Sequence, residues 1–334
     1  MGDPTPPASA PTRRLVGLGS LGVVATVLAG CGIRLEDDAP RVPLVPTREP
    51  IPGEEPLLRL LGAVRAASLA PADPTVPLSP ALAPLHRRQA DVLRDALRQR
   101  GVPEAALPSP SPSASPTATA SPTAPTSPTA SPSPTAPPAV PPALGMPAVE
   151  GSILAASSGC AQAEPVLRPP LVALLAQAHA AMELATGSRA EAPTAAPTWS
   201  APELLVPLVE ATRRATYFLE VAAARSTARG QRTARDGIAR LEALTAEIAE
   251  AAGDAAPVPE LGYPLPQPVT TPAQAAAFAT QTRATLLGTF GAELGGLTAT
   301  DPEAAFADLP RWMGSVAAEA HLGGTPLTAF PGLT

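Results

Sequence analysis

Apolar residues recur at spacings of three and four along most of the chain, which is the signature of helices that bury one face. Leu57, Leu60, Leu61 and Val64 predict a helix over 54–67, and Leu85, Val92, Leu93, Ala96 and Leu97 a second over 80–100. A third spans 149–164 with Ile153, Leu154 and Cys160. After Pro169-Pro170, Leu171, Leu174, Leu175, Ala178, Met182 and Ala185 line a fourth. Leu208, Ala211, Ala215, Phe218 and Ala222 mark the next, within 204–225, where Pro207 must kink the first turns or delay the start. In the sixth, Ala234, Ile238, Leu241, Thr245, Ile248 and Ala252 form the stripe, leaving Arg240, Glu242, Glu247 and Glu250 outside it. Thr271-Pro272-Ala273-Gln274 is a capping box with proline at the first helical position, opening a helix through Leu286, Phe290, Leu294 and Leu297. Asp301-Pro302 starts the last, through Phe306, Leu309, Met313, Val316 and Ala320. No segment alternates with period two over a convincing length. The expected fold is all-α.

The breaks between stripes set the expected organisation. Residues 108–142 repeat Pro, Ser, Thr and Ala without a charge; such a stretch cannot bury enough apolar surface to fold and reads as a disordered, semi-extended linker. A shorter linker, 188–202, separates four helices from four. The expectation is two four-helix up-and-down bundles, residues 54–187 (interrupted by 108–142) and 203–334, with a single eight-helix domain as the alternative.

The N-terminus carries a different pattern. Arg13 and Arg14 precede an uncharged run from Leu15 to Gly30, the charged and apolar regions of an export signal. The run is shorter than the roughly 20 residues a spanning helix needs. Leu28-Ala29-Gly30-Cys31 resembles a bacterial lipobox, with cleavage between Gly30 and Cys31 and a diacylglyceryl group on the Cys31 thiol. Two acyl chains suffice for stable anchoring. Residues 1–30 are thus the expected signal and 31–53, rich in proline, an extended tether. Arg13-Arg14 also has the look of a weakened twin-arginine signal, so the export route is open between that and the general pathway. The Gly17–Gly22 match to GxGxxG lies inside the signal with no βαβ unit and is not a nucleotide site.

Composition narrows the partners. The net charge is −6, and removal of Arg13, Arg14 and Asp3 with the signal leaves the remainder one unit more acidic. That argues against nucleic acid, whose recognition needs basic clusters. Lysine and asparagine are both absent, pointing to a GC-rich genome, so the exclusive use of arginine carries no functional meaning. With Cys31 lipidated, Cys160 has no partner for a disulfide and reads as a small buried residue.

YPLPQPVTTPAQAAAFA (263–279) and GGTPLTAFPGLT (323–334) resemble a ferritin-like domain of unknown function found in lipoproteins of high-GC Gram-positive bacteria. The resemblance covers roughly residues 200–334, and GCGIRLEDDAPRVPLVPTREP (30–50) is similar to the start of lipoproteins that carry this domain. It implies a four-helix fold and brings no established reaction. A di-iron centre on such a scaffold needs carboxylates from several helices plus Glu-x-x-His, which this sequence lacks. Glu319 and His321 are two apart and point about 200° away from each other around a helix. His179 and Glu183, at i and i+4, are the only candidate ligands on one face. His86, beside Arg87 and Arg88, reads as exposed, and Trp199 as docking between the bundles or onto a partner.

No catalytic constellation is evident: there is no Gly-x-Ser-x-Gly elbow and no Cys-x-x-Cys. The expected function is a non-enzymatic, cofactor-free helical module held on the outer face of the cell membrane through Cys31, binding a protein partner at the cell surface. The alternative is a metal-dependent oxidase or metal-binding protein built on His179 and Glu183.

Overall fold

A computed structural model describes residues 48–108, 145–191 and 197–333. The lipobox, Arg13-Arg14, most of the tether and nearly all of the 108–142 linker lie outside the described residues. Eight α-helices make up the fold: α1 Glu54–Leu69, α2 Ser79–Gln99, α3 Met146–Ala156, α4 Arg168–Thr186, α5 Val206–Arg225, α6 Ala228–Ala252, α7 Pro272–Thr300 and α8 Pro302–Leu322. No strand occurs among the described residues, so the protein is all-α.

Proline sets several starts. Pro80, Pro147, Pro169, Pro207, Pro272 and Pro302 all sit at the first or second helical position, where the missing N–H has no intrahelical partner to lose. The Pro169-Pro170 pair therefore opens α4 rather than preceding it, and Pro207 delays α5 to Val206. The Thr271–Gln274 capping box forms as expected. α3 is shorter than its stripe suggested: it stops at Ala156, and Cys160 falls in a following 3-10 turn entered through Gly159 at φ 84°.

Two hydrophobic clusters share one helix. Leu57, Leu61 and Val64 of α1, Leu93 and Leu97 of α2, and Ile153 of α3 pack with Leu171, Leu174 and Leu175 of α4. Val172, Ala173 and Ala176, on the other side of α4, join Leu208, Leu241, Leu286, Phe290, Leu309 and Trp312 from α5 to α8. Every residue from Leu171 to Ala178 is buried, and so is every residue of α8 from Asp308 to Ala320. A helix buried on all sides lies in the interior even where it carries polar side chains. α4 and α8 are that interior pair, and residues 49–334 form one compact unit around them.

Small side chains bring α4 and α8 together. Ala180, Ala317 and Ala318 form their own buried cluster, and at Gly314 an added Cβ would lie 2.5 Å from the His179 Cβ and 3.0 Å from the Ala176 carbonyl oxygen. The segment after α8 then threads across both clusters. The Ala329 carbonyl accepts a 2.7 Å hydrogen bond from Gln89 of α2, and Phe330 packs against both cores. Gly332, at φ 74°, presses against Gly291 of α7, where a Cβ would lie 2.0 Å from the Gly332 oxygen.

Candidate functional site

Seams of polar side chains run through this apolar interior. The larger joins α4, α6, α7 and α8. On α8, Asp308, Arg311, Ser315 and Glu319 succeed one another at spacings of three and four, so they share one face. On α6, Arg240 and Glu247 lie two turns apart and meet that face. Glu247 accepts from the Trp312 indole N–H at 2.8 Å and pairs with both Arg311 and Arg189. Glu319, 2% exposed, pairs with Arg240 and, at 3.6 Å, with Arg283 of α7. Gly237 leaves the room this requires, since a Cβ there would lie 2.6 Å from a Glu319 carboxylate oxygen.

Glu183 belongs to the same seam. Its Oε2 accepts from the Ser315 hydroxyl at 2.9 Å, and the Ser315 oxygen in turn accepts from Arg189 Nε at 3.1 Å. Burial raises the Glu183 pKa, opposed by Ser315 and Arg189. Burial likewise works against ionised Glu247, but Arg311, Trp312 and Arg189 outweigh it and hold that carboxyl below its ordinary range. Asp308 is pushed up by burial despite the Trp199 and Arg311 hydrogen bonds. Trp199 itself is buried, its Nε1–H donating to Asp308 at 3.1 Å.

His179 lies one turn before Glu183 but is not its hydrogen-bond partner. Its Nδ1 is buried without a partner among the described residues. Burial, reinforced by the positive charge of Arg311, lowers its pKa to about 4. A ligand set for a metal ion does not fit here. Both oxygens of Glu247 and Oε1 of Glu319 are engaged by arginines, Arg283 lies 3.6 Å from Glu319 Oε2, Glu183 is engaged by Ser315, and Arg311 puts a cation beside His179. Three carboxylates (Glu247, Asp308, Glu319) pair with four guanidinium groups (Arg189, Arg240, Arg283, Arg311), and Glu183 joins them through Ser315. Among the described residues no group of three or more His, Cys, Asp or Glu side chains is arranged to hold a metal ion.

The second seam corrects the sequence reading of His86. It is 1% exposed, not on the surface, because it lies on the same face of α2 as Leu82, Gln89 and Leu93. Its Nε2 is 2.9 Å from Glu150 of α3 and its Nδ1 3.0 Å from the Gln89 side-chain oxygen. The Gln89 amide donates to Gln177 and to the Ala329 carbonyl, so its oxygen faces the imidazole and Nδ1 carries a proton. One further proton is then shared between Nε2 and Glu150. Burial opposes the charged imidazolium, yet Glu150 and Gln89 outweigh it and raise the His86 pKa; Glu150 is raised by burial despite His86. A cavity of about 50 Å³ adjoins the pair. The signal for this seam was present as polar residues at apolar positions of the α2 stripe, but nothing in the sequence joined His86 to Glu150, 64 residues away.

Cys160 is buried, as its sequence context suggested, and burial pushes its thiol up to about 12, so it is not a nucleophile. Two open concavities lie on the two sides of α5. One of about 440 Å³ faces α6 and is lined by Tyr217, Glu220, Glu242 and Tyr263, the two tyrosine rings meeting edge-on at 5.8 Å. The other, about 230 Å³, faces α7. The seams are therefore internal fasteners, and a further concavity of about 230 Å³ opens between α1 and α2, beside Arg65, Arg87 and Arg94. No helix of the described residues is long and apolar enough to cross a membrane. In comparisons with known proteins, no family model, no curated protein and no solved structure matches the chain.

Proposed function

We propose that the chain is a lipid-anchored protein of the bacterial cell envelope whose helical unit is a non-catalytic binding and scaffold module. The observation that carries the reading is the mutual pairing of the interior charges. Seven ionisable groups from the helices and their flanks pair with one another, and Glu183 joins them through Ser315, which is the arrangement of a rigid body, not of a reacting centre. The concavities beside α5 supply surfaces for a partner at the cell surface. The finer reading, two four-helix bundles with the second ferritin-like, rests on the sequence resemblance of residues 200–334; in the fold α4 contributes to both hydrophobic clusters and packs along α8.

The anchor rests on Leu28-Ala29-Gly30-Cys31 behind Arg13-Arg14 and the apolar run. Expression of the full-length chain in a bacterial host fed a labelled fatty acid tests it. Label on the protein and recovery in the membrane fraction, both lost in Cys31→Ala, are expected. An unlabelled protein, or a Cys31→Ala variant that keeps its label, overturns the anchor. Cross-linking on intact cells, with anchored and Cys31→Ala forms compared, then tests for a surface partner.

A further inference from the structure

We propose that the turn joining α5 to α6 is a membrane-facing surface that seats on anionic phospholipid headgroups. The inference goes beyond the anchored module by naming the face it turns to the membrane, and it stands or falls separately from the anchor at Cys31.

Arg225 ends α5, and Arg229, Arg232 and Arg235 follow at spacings of four and three along the first turns of α6. All four are exposed, and their guanidinium groups make no hydrogen bond or ion pair among the described residues. Asp236 is the only carboxylate between residues 221 and 241. By contrast, Arg59 of α1 meets Glu55, and Arg94 and Arg98 of α2 meet Asp91 and Glu104.

This arrangement sets like charge against like. The first turn of a helix carries positive partial charge and favours acidic side chains. α6 has no acidic residue there and has Arg229 instead. Cations three or four residues apart on a helix also repel one another. An anionic partner relieves both.

The asymmetry of the helix ends selects the partner. The end of α5 meets the start of α7, where Ala222 packs with Val269 and Ala275, and α6 meets the end of α8, where Gly237 lies against Glu319. Residues 264–282, which lead into and open α7, carry no charge. At the opposite end of the same four helices Glu203, Glu250, Asp254 and Glu303 are exposed. A negatively charged plane turns such a body with its arginines inward and its acidic end outward, although the chain as a whole carries −6. Arg229 to Arg235 cover about 9 Å of helix at a rise of 1.5 Å per residue, which is wider than one phosphate group. None of the concavities on the unit is lined by any of the four arginines. Charge spread over a surface without a pocket fits a layer of headgroups rather than one small anion.

Arginine-directed modification with phenylglyoxal, read residue by residue by mass spectrometry, tests the proposal on the full-length chain. Vesicles of phosphatidylcholine alone are compared with vesicles in which about one-third of the lipid is phosphatidylglycerol. Arg87 and Arg88 of α2, exposed and without an ion pair among the described residues, are the internal references. Anionic vesicles are expected to slow modification of Arg225, Arg229, Arg232 and Arg235 roughly fivefold, and neutral vesicles to leave it unchanged. Salt at about 0.5 M, where screening acts within about 4 Å, is expected to restore the rates. Equal rates in the two kinds of vesicle, the same protection at Arg87 and Arg88, protection indifferent to salt, or protection reproduced by soluble glycerol phosphate overturns the inference. A chain that carries the fatty-acid label on Cys31 and lacks the protection sinks this inference alone. A chain without the label that shows the protection loses the anchor and keeps this face.

Discussion

Trp199 and Trp312 stack with their ring centroids 6.1 Å apart and their planes inclined by only 15°. Each indole N–H donates to a different carboxylate, Trp199 to Asp308 and Trp312 to Glu247. The pair therefore fixes the segment before α5 to the buried seam as well as to the second core. Trp199→Ala is expected to cost about 3–5 kcal/mol in urea unfolding. Trp199→Phe, which keeps most of the apolar area but leaves Asp308 short of a donor, should cost less. A Trp199→Ala variant as stable as the parent would show that the stack contributes nothing.

Glu319, itself 2% exposed, sits between the guanidinium groups of Arg240 and Arg283. Replacing it with leucine leaves Arg283, 5% exposed, as an unpaired buried charge, and a loss of roughly 3–5 kcal/mol is expected. Adding Arg283→Met to that variant should recover part of the loss, because the uncompensated charge goes with it. Additive losses in the double variant would mean the two residues do not interact.

Stability should respond to pH through two histidines acting in opposite directions. Folded His179 titrates at about 4 against 6.5 unfolded, so the unfolded chain binds more protons between those values. Its contribution is present above pH 6.5 and is lost as pH falls toward 4, by about 3 kcal/mol at most. His86 has a folded pKa above 6.5, so its contribution is present below pH 6.5 and is lost as pH rises through the raised value. Glu150, also raised, acts in the same direction as His86, its effect beginning above pH 4.5. Urea midpoints measured from pH 4 to 9 should show both limbs. His179→Gln is expected to flatten the acid limb and Glu150→Gln the alkaline one; unchanged limbs would refute these assignments.

At Gly314 the contact between α4 and α8 leaves no space for a methyl group. Gly314→Ala should cost about 1–3 kcal/mol, since the two buried helices must move apart along a close-packed face. The same substitution at Gly295, which has open space around it, should leave unfolding unchanged or slightly raised, a glycine being a poor helix former. Thermal unfolding of the two variants side by side checks the contrast.

The helices were legible because their determinants are local. The Thr271 capping box, the N-terminal prolines and the 3–4 stripes of α1, α2, α5 and α7 act within a few residues of themselves. What escaped was partnership at a distance. Arg240 and Glu247 lie outside the apolar stripe of α6, and such a face meets solvent unless another helix presents matching charge. Asp308, Arg311, Ser315 and Glu319 make that match, but reading it requires knowing that α6 lies against α8. His86 was misread for the same reason, since its arginine neighbours signalled exposure while its own helical face pointed inward. Trp199 showed the converse: its placement in a Pro/Ser/Thr-rich stretch gave no hint of the α8 side chains that bury it.

The hydrogen bond from Gln89 to the Ala329 carbonyl joins residues 240 positions apart. A ribosome or translocon delivers the chain from its N-terminus, so α1 to α4 emerge long before the strap that crosses them. Until residue 332 has been delivered, the Gln89 amide lacks that acceptor, Phe330 is missing from both cores and Gly291 faces an empty groove. The first half of the protein therefore waits, incompletely closed, on residues 329–332. A chain ending between Leu322 and Ala329 would carry every helix and leave neither core finished.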